Sequence, residues 1–513
     1  MGKMYSRVDG KLPWLDRFAE AFAPKKWHHA RKPRTKPPIR THLNRIICSP
    51  RHCHPFPRFV FTFPTMQVEP AATTNSSGRR PLHIEIVVHP LFLTPLDDLR
   101  REWTQFLEQC QHPLTLTEDR RQINLEMLPP ELARSCVEVS VGYDDNDEAV
   151  EPGDDLKILP RSHSFRVHVF RLCQDEASVE EIQPEGGGDN EWTAGCDSLP
   201  LPHASLDGLW ETLILEPRLK QRLLDYATTA LLFSDKSVSS HLVHWNRILL
   251  LHGVPGTGKT SLCRSLAHKL AIRMGHRFPE GATLLDVRAH SLFSKWFSTS
   301  GKLVSTLFQM VRDMVQEDPK KLVCVLVDEV ESLASTRNSS GGNGDPSDAM
   351  RAVNSLLTSL DRLRSFPNVL VLATTNLTGS VDAAFLDRVD LKLHIGLPIL
   401  KARYEILRSC IHELQRVGII IASSSTTDTT IATFEQQQRW NGHSNAATKR
   451  LLECAKTAQE MSGRSLRRLP LQAHAQFLGE HVGGEGVSVD RFLAALGSAI
   501  QLEQASRRKI EGY

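Results

Sequence analysis

No apolar run in the 513-residue chain approaches the ~20 residues that a helix needs to cross a bilayer. The N-terminus also lacks the apolar core of a secretory signal, so neither membrane insertion nor export is expected. Paired cysteine spacing is missing as well. Ten cysteines are scattered along the chain, and Cys263, Cys324 and Cys410 fall inside apolar-periodic segments, as buried reduced thiols do. This argues against a disulfide scaffold and for a reducing compartment, the nucleus or the cytoplasm. Cys48, His52, Cys53 and His54 form one metal-like cluster, but C-x₄-C with interleaved His among prolines matches no closed tetrahedral zinc set. There is no internal repeat. Strong net charge is absent too, at +3 overall, yet the distribution is uneven. Residues 1–65 hold 14 Lys/Arg against 3 Asp/Glu, which leaves the rest of the chain mildly acidic.

What is present divides into five stretches. Residues 1–80 combine Lys25-Lys26, Arg31-Lys32-Pro33-Arg34 and Pro37-Pro38 with little apolar periodicity, and read as a disordered basic arm. The arm is either a solvated tail or a nuclear-import or nucleic-acid-contacting segment, and Met66 offers an alternative start within it. Residues 81–175 read as a small α+β domain. Leu82–Val88, Val137–Val141 and Phe165–Phe170 alternate as half-exposed strands do, and Leu96–Cys110 has helical spacing behind a Thr94-Pro95 start. Residues 176–205 are acidic and glycine-rich, as a linker would be. Between 206 and 398, apolar runs at 247–251, 283–287, 322–327, 368–373 and 391–395 alternate with helical patterns, the signature of a largely parallel α/β sheet. Residues 399–513 are mainly helical, with a polar insertion from Ala422 to Ser444.

The chemistry concentrates in the fourth stretch. Gly253-Val254-Pro255-Gly256-Thr257-Gly258-Lys259-Thr260-Ser261 fits the phosphate-cradling pattern G-x-x-x-x-G-K-[ST]. It lies between a strand-like run and a helix whose Leu262, Leu266, Ala267 and Leu270 share one face, so loop amides and helix dipole converge on an anion. Lys259 is placed to reach the β- and γ-phosphates, and Thr260 to bind Mg²⁺. The run Leu322–Val327 delivers Asp328 and Glu329 to a strand tip, Asp328 for Mg²⁺ and Glu329 to polarise the attacking water. The next run ends at Asn376, a turn former or a ligand of that water. Arg388 is either a surface partner of Asp387 or a cation supplied to a neighbouring subunit's nucleotide, and Arg464 in Ser462-Gly463-Arg464 offers the same alternatives. Ser291–Ser298 crowds Leu292, Phe293, Trp296 and Phe297 into a short stretch that periodicity alone assigns to core packing.

In this order, these elements resemble an AAA+ ATPase module. More narrowly, Trp245-Asn246-Arg247, His252–Ser261, Ser291–Val304, Val327–Leu333, Pro346–Ala349 and Ser462–Pro470 closely resemble the pachytene checkpoint protein 2 family. The likeness runs from about Leu206 to the C-terminus. It implies a P-loop AAA+ fold, a parallel sheet flanked by helices with a helical lid, preceded by the small α+β domain as a substrate- or adaptor-binding module. It further implies an ATP- and Mg²⁺-dependent ring, a hexamer, that converts HORMA-domain proteins from a closed to an open form. Such clients serve the meiotic chromosome axis and the spindle checkpoint, and a HORMA-like adaptor often delivers them. Carried over by position, Trp296 and Phe297 become the central-pore grip and Gly301 the flexible neck of that loop. Gly341-Gly342-Asn343-Gly344 resembles a second pore loop, Arg388 a trans arginine finger and Arg464 a cis sensor in the lid. Many AAA+ relatives carry a second arginine near the finger, whereas here the next basic residue is Lys392.

Two other classes compete. One is a nucleotide-gated scaffold that hydrolyses little, which the full set Lys259, Asp328, Glu329, Asn376, Arg388 and Arg464 argues against. The other is a severing or nucleic-acid-translocating AAA+ machine. Direct nucleic-acid binding is not expected, because a strand-tracking channel needs basic residues and the body of the chain is acidic.

Overall fold

The computed structural model describes residues 80–116, 122–143, 157–158, 163–182, 193–216, 218–239, 241–288, 300–331, 346–376, 381–421, 431–439, 445–479 and 486–511. The Cys48/His52/Cys53/His54 cluster, the 1–65 arm, Trp296, Phe297 and Gly341–Gly344 lie outside them.

The first domain is built on β1 (Arg80–Val88), α1 (Leu96–Gln109), β2 (Leu114–Thr115), α2 (Pro130–Ser135), β3 (Cys136–Tyr143), β4 (Lys157–Ile158) and β5 (His163–Phe170). Strand β1 is central, antiparallel to β3 and parallel to β5. Its Leu82, Ile84 and Ile86 pack against Leu99, Trp103 and Leu107 of α1. Helix α1 begins one residue later than Thr94-Pro95 suggests, with Pro95 in the capping position and no side-chain cap. The alternation in β1 predicts a solvated second face, but His83 and Glu85 are buried there. Their cover is a helix of the next domain, described below.

The second domain holds β6 (Ser178–Ile182), β7 (Thr193–Leu201), α3 (Leu209–Thr212), α4 (Leu219–Asp235), β8 (Ile248–His252), α5 (Lys259–Arg273) and β9 (Ala282–Arg288). It continues with α6 (Ser300–Glu317), β10 (Leu322–Asp328), α7 (Pro346–Leu363), β11 (Val369–Thr375), α8 (Ala383–Arg388) and β12 (Leu391–His394). One seven-stranded sheet runs in the order β12-β8-β11-β10-β9-β7-β6. The five strands β8 to β12 are mutually parallel, and β7 and β6 add antiparallel pairings at one side. Residues 176–205 are therefore not simply a linker, because Ser178–Ile182 and Thr193–Leu201 are strands of the large sheet. Pro200 is tolerated within β7 because it pairs with Thr283 of β9 beyond Ser178↔Ser198, where the pairing with β6 stops.

Both faces of the sheet's centre are covered, which explains why β8, β10 and β11 read as unbroken apolar runs. In β10, Val323, Val325 and Val327 enter one core with α6 and α7, while Leu322, Cys324 and Leu326 enter another with α4 and α5. Helix α5 is buried nearly all round, not only on the face of Leu262, Leu266, Ala267 and Leu270. Its far end meets β1. Lys269 Nζ donates to Glu85 Oε2 (2.6 Å) and to Glu211 Oε1 (2.8 Å), and Arg273 Nε lies 3.3 Å from Glu85 Oε1.

The C-terminal domain is a helical layer: α9 (Leu400–Arg416), β13 (Ile420–Ile421), α10 (Phe434–Arg439), α11 (Ala446–Thr457), α12 (Gly463–Phe477), β14 (Val487–Ser488) and α13 (Val489–Glu511). Part of the polar insertion is anchored in it. Ile431, Ala432 and Phe434 are buried, and Tyr404 donates from its hydroxyl to Ala432 O at 2.7 Å.

Candidate active site

The order β8-β11-β10 places the C-terminal tips of three parallel strands side by side, at the crevice where such sheets bind ligands. The glycine loop leaves β8, Asn376 follows β11, and Asp328 ends β10. Gly253, Gly256 and Gly258 all have positive φ, +146°, +79° and +97°. A Cβ on Gly253 would lie 2.2 Å from Ile395 O, so only glycine lets the loop pass this backbone. Lys259, buried in the first turn of α5, donates to Gly253 O (2.8 Å) and Val254 O (2.9 Å) and so closes the loop around its own ammonium. Burial lowers its pKa, and Glu331 and Asp328 oppose that shift.

Thr260 Oγ1 donates to Asp328 Oδ1 at 2.9 Å, which joins the two residues expected to hold Mg²⁺. Hydroxyl and carboxylate oxygens are the donors a hard divalent cation takes beside phosphate, and the glycine cradle suits the phosphates themselves. These residues fit a Mg²⁺–nucleotide. Thr374 also donates to Asp328 Oδ1 and accepts from Glu329 N–H (3.2 Å). Glu329 is exposed and left-handed, φ +57°, a conformation that costs a residue with a Cβ about 1–3 kcal/mol.

The lid closes from the other side. Arg464 N donates to Gly256 O at 3.0 Å, and Ser462 caps α12 through Ser465 N. Between lid and loop lies a cavity of about 390 Å³, walled by Leu213, Leu215, Ile395 and Ile399 together with Gly256, Thr257, Gly258, Arg464, Arg467 and Arg468. Its size and its apolar wall with few polar groups suit a nucleobase beside a phosphate cradle. A Cβ on Gly256 would stand 2.8 Å from Ser462 Oγ and 3.3 Å from Arg464 Cβ. Gly256→Ala is expected to weaken nucleotide affinity roughly tenfold or more, from the 1–3 kcal/mol of left-handed strain and the displaced lid. A titration with a fluorescent ATP analogue reads this directly, and unchanged affinity would show that the lid does not clamp the loop.

The remaining expected residues stand apart. Arg388, at the end of α8, is held by Asp361 of the same chain in a two-pronged ion pair (2.8 and 2.9 Å) and donates to Ala384 O. The Trp245-Asn246-Arg247 segment braces that position. Asn246 Nδ2 donates to Arg388 O (2.8 Å), and Asp390 takes the main-chain N–H of Asn246 and Ile248. Arg247 is structural: its buried guanidinium donates to the carbonyls of Val369, Arg364 and Phe366. Gly301, expected as a flexible neck, is helical. It lies in the first turn of α6, where its carbonyl accepts from Ser355 Oγ at 2.8 Å.

Sequence reasoning passed over Glu331, Thr374, Arg467 and Arg468. Only Glu331 carried a local signal, two positions after Glu329. Thr374 belongs to an apolar strand, and the two arginines follow Arg464 on the same helix, where their direction depends on how the lid docks.

Residues 249–397 match the ATPase family associated with various cellular activities (AAA), and residues 399–504 match the TRIP13-like, AAA+ ATPase lid C-terminal domain. The pachytene checkpoint protein 2 homolog of Arabidopsis thaliana is 42% identical over 79% of this chain and 86% of its own length. That of Homo sapiens is 39% identical over 75% of this chain and 85% of its own. The solved structure of C. elegans PCH-2 is 30% identical, superposes with a TM-score of 0.63, and covers 83% of this chain and 100% of that one.

Proposed function

Because this chain belongs to the pachytene checkpoint protein 2 family of AAA+ ATPases and hydrolyses ATP, we propose that it spends that hydrolysis on opening closed HORMA-domain proteins as a hexameric ring. The observation that carries the enzymatic half of this reading is the convergence of the glycine loop, Asp328, Glu329 and Asn376 on three adjacent strand tips, with Arg464 docked on the loop. The family resemblance supports the client half. On that basis the clients are HORMA proteins of the meiotic axis and the spindle checkpoint, a HORMA-like adaptor is held by the 81–175 domain, and the enzyme works in nucleus and cytoplasm.

Bound Mg²⁺ would supply charge neutralisation at the phosphates, held by Thr260 and Asp328. Lys259 binds the β- and γ-phosphate oxygens once it exchanges the carbonyls of Gly253 and Val254 for them. Glu329 accepts the proton of the attacking water, and Asn376 orients that water. Arg464 senses the nucleotide from the lid of the same subunit. Arg388 leaves Asp361 to neutralise charge on the neighbouring subunit's nucleotide. Trp296 and Phe297 grip an extended client segment in the pore by packing, without reading its sequence.

Steady-state ATP hydrolysis by the full chain, with and without a HORMA protein plus adaptor from the same organism, tests the reading. Stimulation by the client is expected. Robust hydrolysis that ignores the client would keep the ATPase and remove the HORMA assignment. Trp296→Ala is expected to retain ATP binding and basal hydrolysis while client conversion falls at least tenfold. Unchanged conversion would remove the pore role.

A further inference from the structure

Two residues past Glu329, the chain buries a third carboxylate that the mechanism above leaves unused. Glu331 is 9% exposed. Its Oε1 accepts the main-chain N–H of Asn376 at 3.0 Å, across 45 positions of sequence. Its Oε2 is buried with no hydrogen-bond partner among the described residues. Among charged neighbours, Glu331 also does most to counter the effect of burial on Lys259.

Leaving one oxygen of a buried carboxylate unpaired is costly, so a merely structural role for it is expensive. The surrounding bonds show what it holds. Val330 N donates to Thr374 O (3.0 Å), and Glu329 N to Thr374 Oγ1 (3.2 Å), so residues 329 and 330 already tie the tip of β10 to the tip of β11. Beyond Thr375 the ladder ends, and the backbone of Asn376 has left the strand. The bond from Asn376 N to Glu331 continues the fastening by one residue, at the one whose side chain must be aimed. A charge-assisted bond of this kind is stronger than a neutral one, which suits fixing a loop end.

We propose that Glu331 is a positioning residue for ATP hydrolysis, orienting Asn376 by clamping its main-chain N–H. This rests on the reading of Asn376 as the ligand of the attacking water. The clamp needs an acceptor and not a charge, and it acts on the chemical step; the charge that Glu331 presents to Lys259 is a separate effect, lost equally in Glu331→Gln and Glu331→Ala. Misplacing a water-orienting amide by an ångström costs roughly 10- to 100-fold in turnover.

The test is steady-state hydrolysis by the full chain carrying Glu331→Ala, Glu331→Gln, Asn376→Ala, or Glu331→Ala with Asn376→Ala, each with its unfolding temperature measured. Glu331→Ala is expected to lower kcat roughly 10- to 100-fold with KM within about threefold. Glu331→Gln, which keeps an acceptor at the same place, should recover to within about threefold of the unchanged chain. The double variant should lose no more than Asn376→Ala alone, because two residues acting through one amide do not add. Near-normal kcat for Glu331→Ala beside an impaired Asn376→Ala overturns the clamp alone. Equal losses for Gln and Ala, or additive losses in the double variant, overturn it too. Near-normal turnover by Asn376→Ala instead removes the reading on which the clamp rests. Should Glu331→Ala fail to fold, the Glu331→Gln variant still decides, since a loss above tenfold contradicts an acceptor-only role.

Discussion

Glu329→Gln is expected to lower ATP turnover by about 10²-fold or more, the scale set by losing a positioned general base, while nucleotide affinity changes only a few-fold. The substitution is nearly isosteric, so what it removes is basicity. The unusual backbone at this position does not confound the comparison, since Glu and Gln carry the same Cβ and meet the same left-handed strain at φ +57°. Nor does the anchoring change. The main-chain N–H donates to Thr374 Oγ1 whichever side chain follows it, and Thr374 is fixed in turn by its bond to Asp328. The elements that capture nucleotide are held by bonds of their own, from Lys259 to the carbonyls of Gly253 and Val254 and from Thr260 to Asp328. Binding and chemistry should therefore separate cleanly. A titration with ATP analogue beside a steady-state assay reads both, and turnover near that of the unchanged chain would remove Glu329 as the group that activates water.

That separation was legible in the sequence because each part of it is encoded locally. A strand, a glycine loop and a helix start are contiguous from Ile248 to Arg273, and the carboxylates follow their strand without a gap. The central parallel strands β8, β10 and β11 were legible for a different reason. Cover on both faces forces an unbroken apolar run, which survives as a pattern whatever the strand order is. What escaped was whatever depends on distant partners. Strand β7 contains Gly195, Asp197, Ser198 and Pro200 and looks like a linker until Leu284 and Leu285 of β9 are set beside it. The order of the sheet, which brings Asn376 and Asp328 next to the loop, is a property of crossovers and not of any segment. Glu331 was visible as a letter in Val327–Leu333, but its partner amide is 45 residues on. Glu85 shows the effect at its largest. Alternation in β1 puts it on the solvent side, yet its ammonium partner lies 184 residues away and buries it.

Removing that carboxylate is therefore the second large effect. Glu85→Ala removes the carboxylate that Lys269 and Arg273 share, whose side chains are 5% and 8% exposed, and leaves Lys269 with Glu211. Breaking a buried pair from one side costs about 3–5 kcal/mol, because an uncompensated charge stays behind. The loss falls on the seam between the first domain and α5, so it should lower the unfolding temperature and loosen that domain first. Replacing the Glu85–Lys269 pair, Glu85→Leu with Lys269→Met, is expected to recover only part of the loss, since well-packed apolar pairs often match buried ion pairs but Arg273 keeps its charge. Acid adds a second signature. Burial, reinforced by His83, holds the His168 imidazole down at about 3, against the usual 6.5. In the unfolded chain that ring takes a proton below 6.5 which the folded seam refuses, so stability falls as pH drops from 6.5 towards 3. Burial alone would raise the Glu85 carboxyl, but Lys269 and Arg273 outweigh it and hold it at about 2, below the usual 4.5. Its contribution is present above 4.5 and is lost as pH falls from 4.5 towards 2. Thermal unfolding of the full chain followed from pH 7 to pH 3 should thus decline in two stages, and Glu85→Ala should lack the second while keeping the first. A variant that unfolds at the unchanged temperature and keeps both stages would mean that the seam contributes nothing to the folded state.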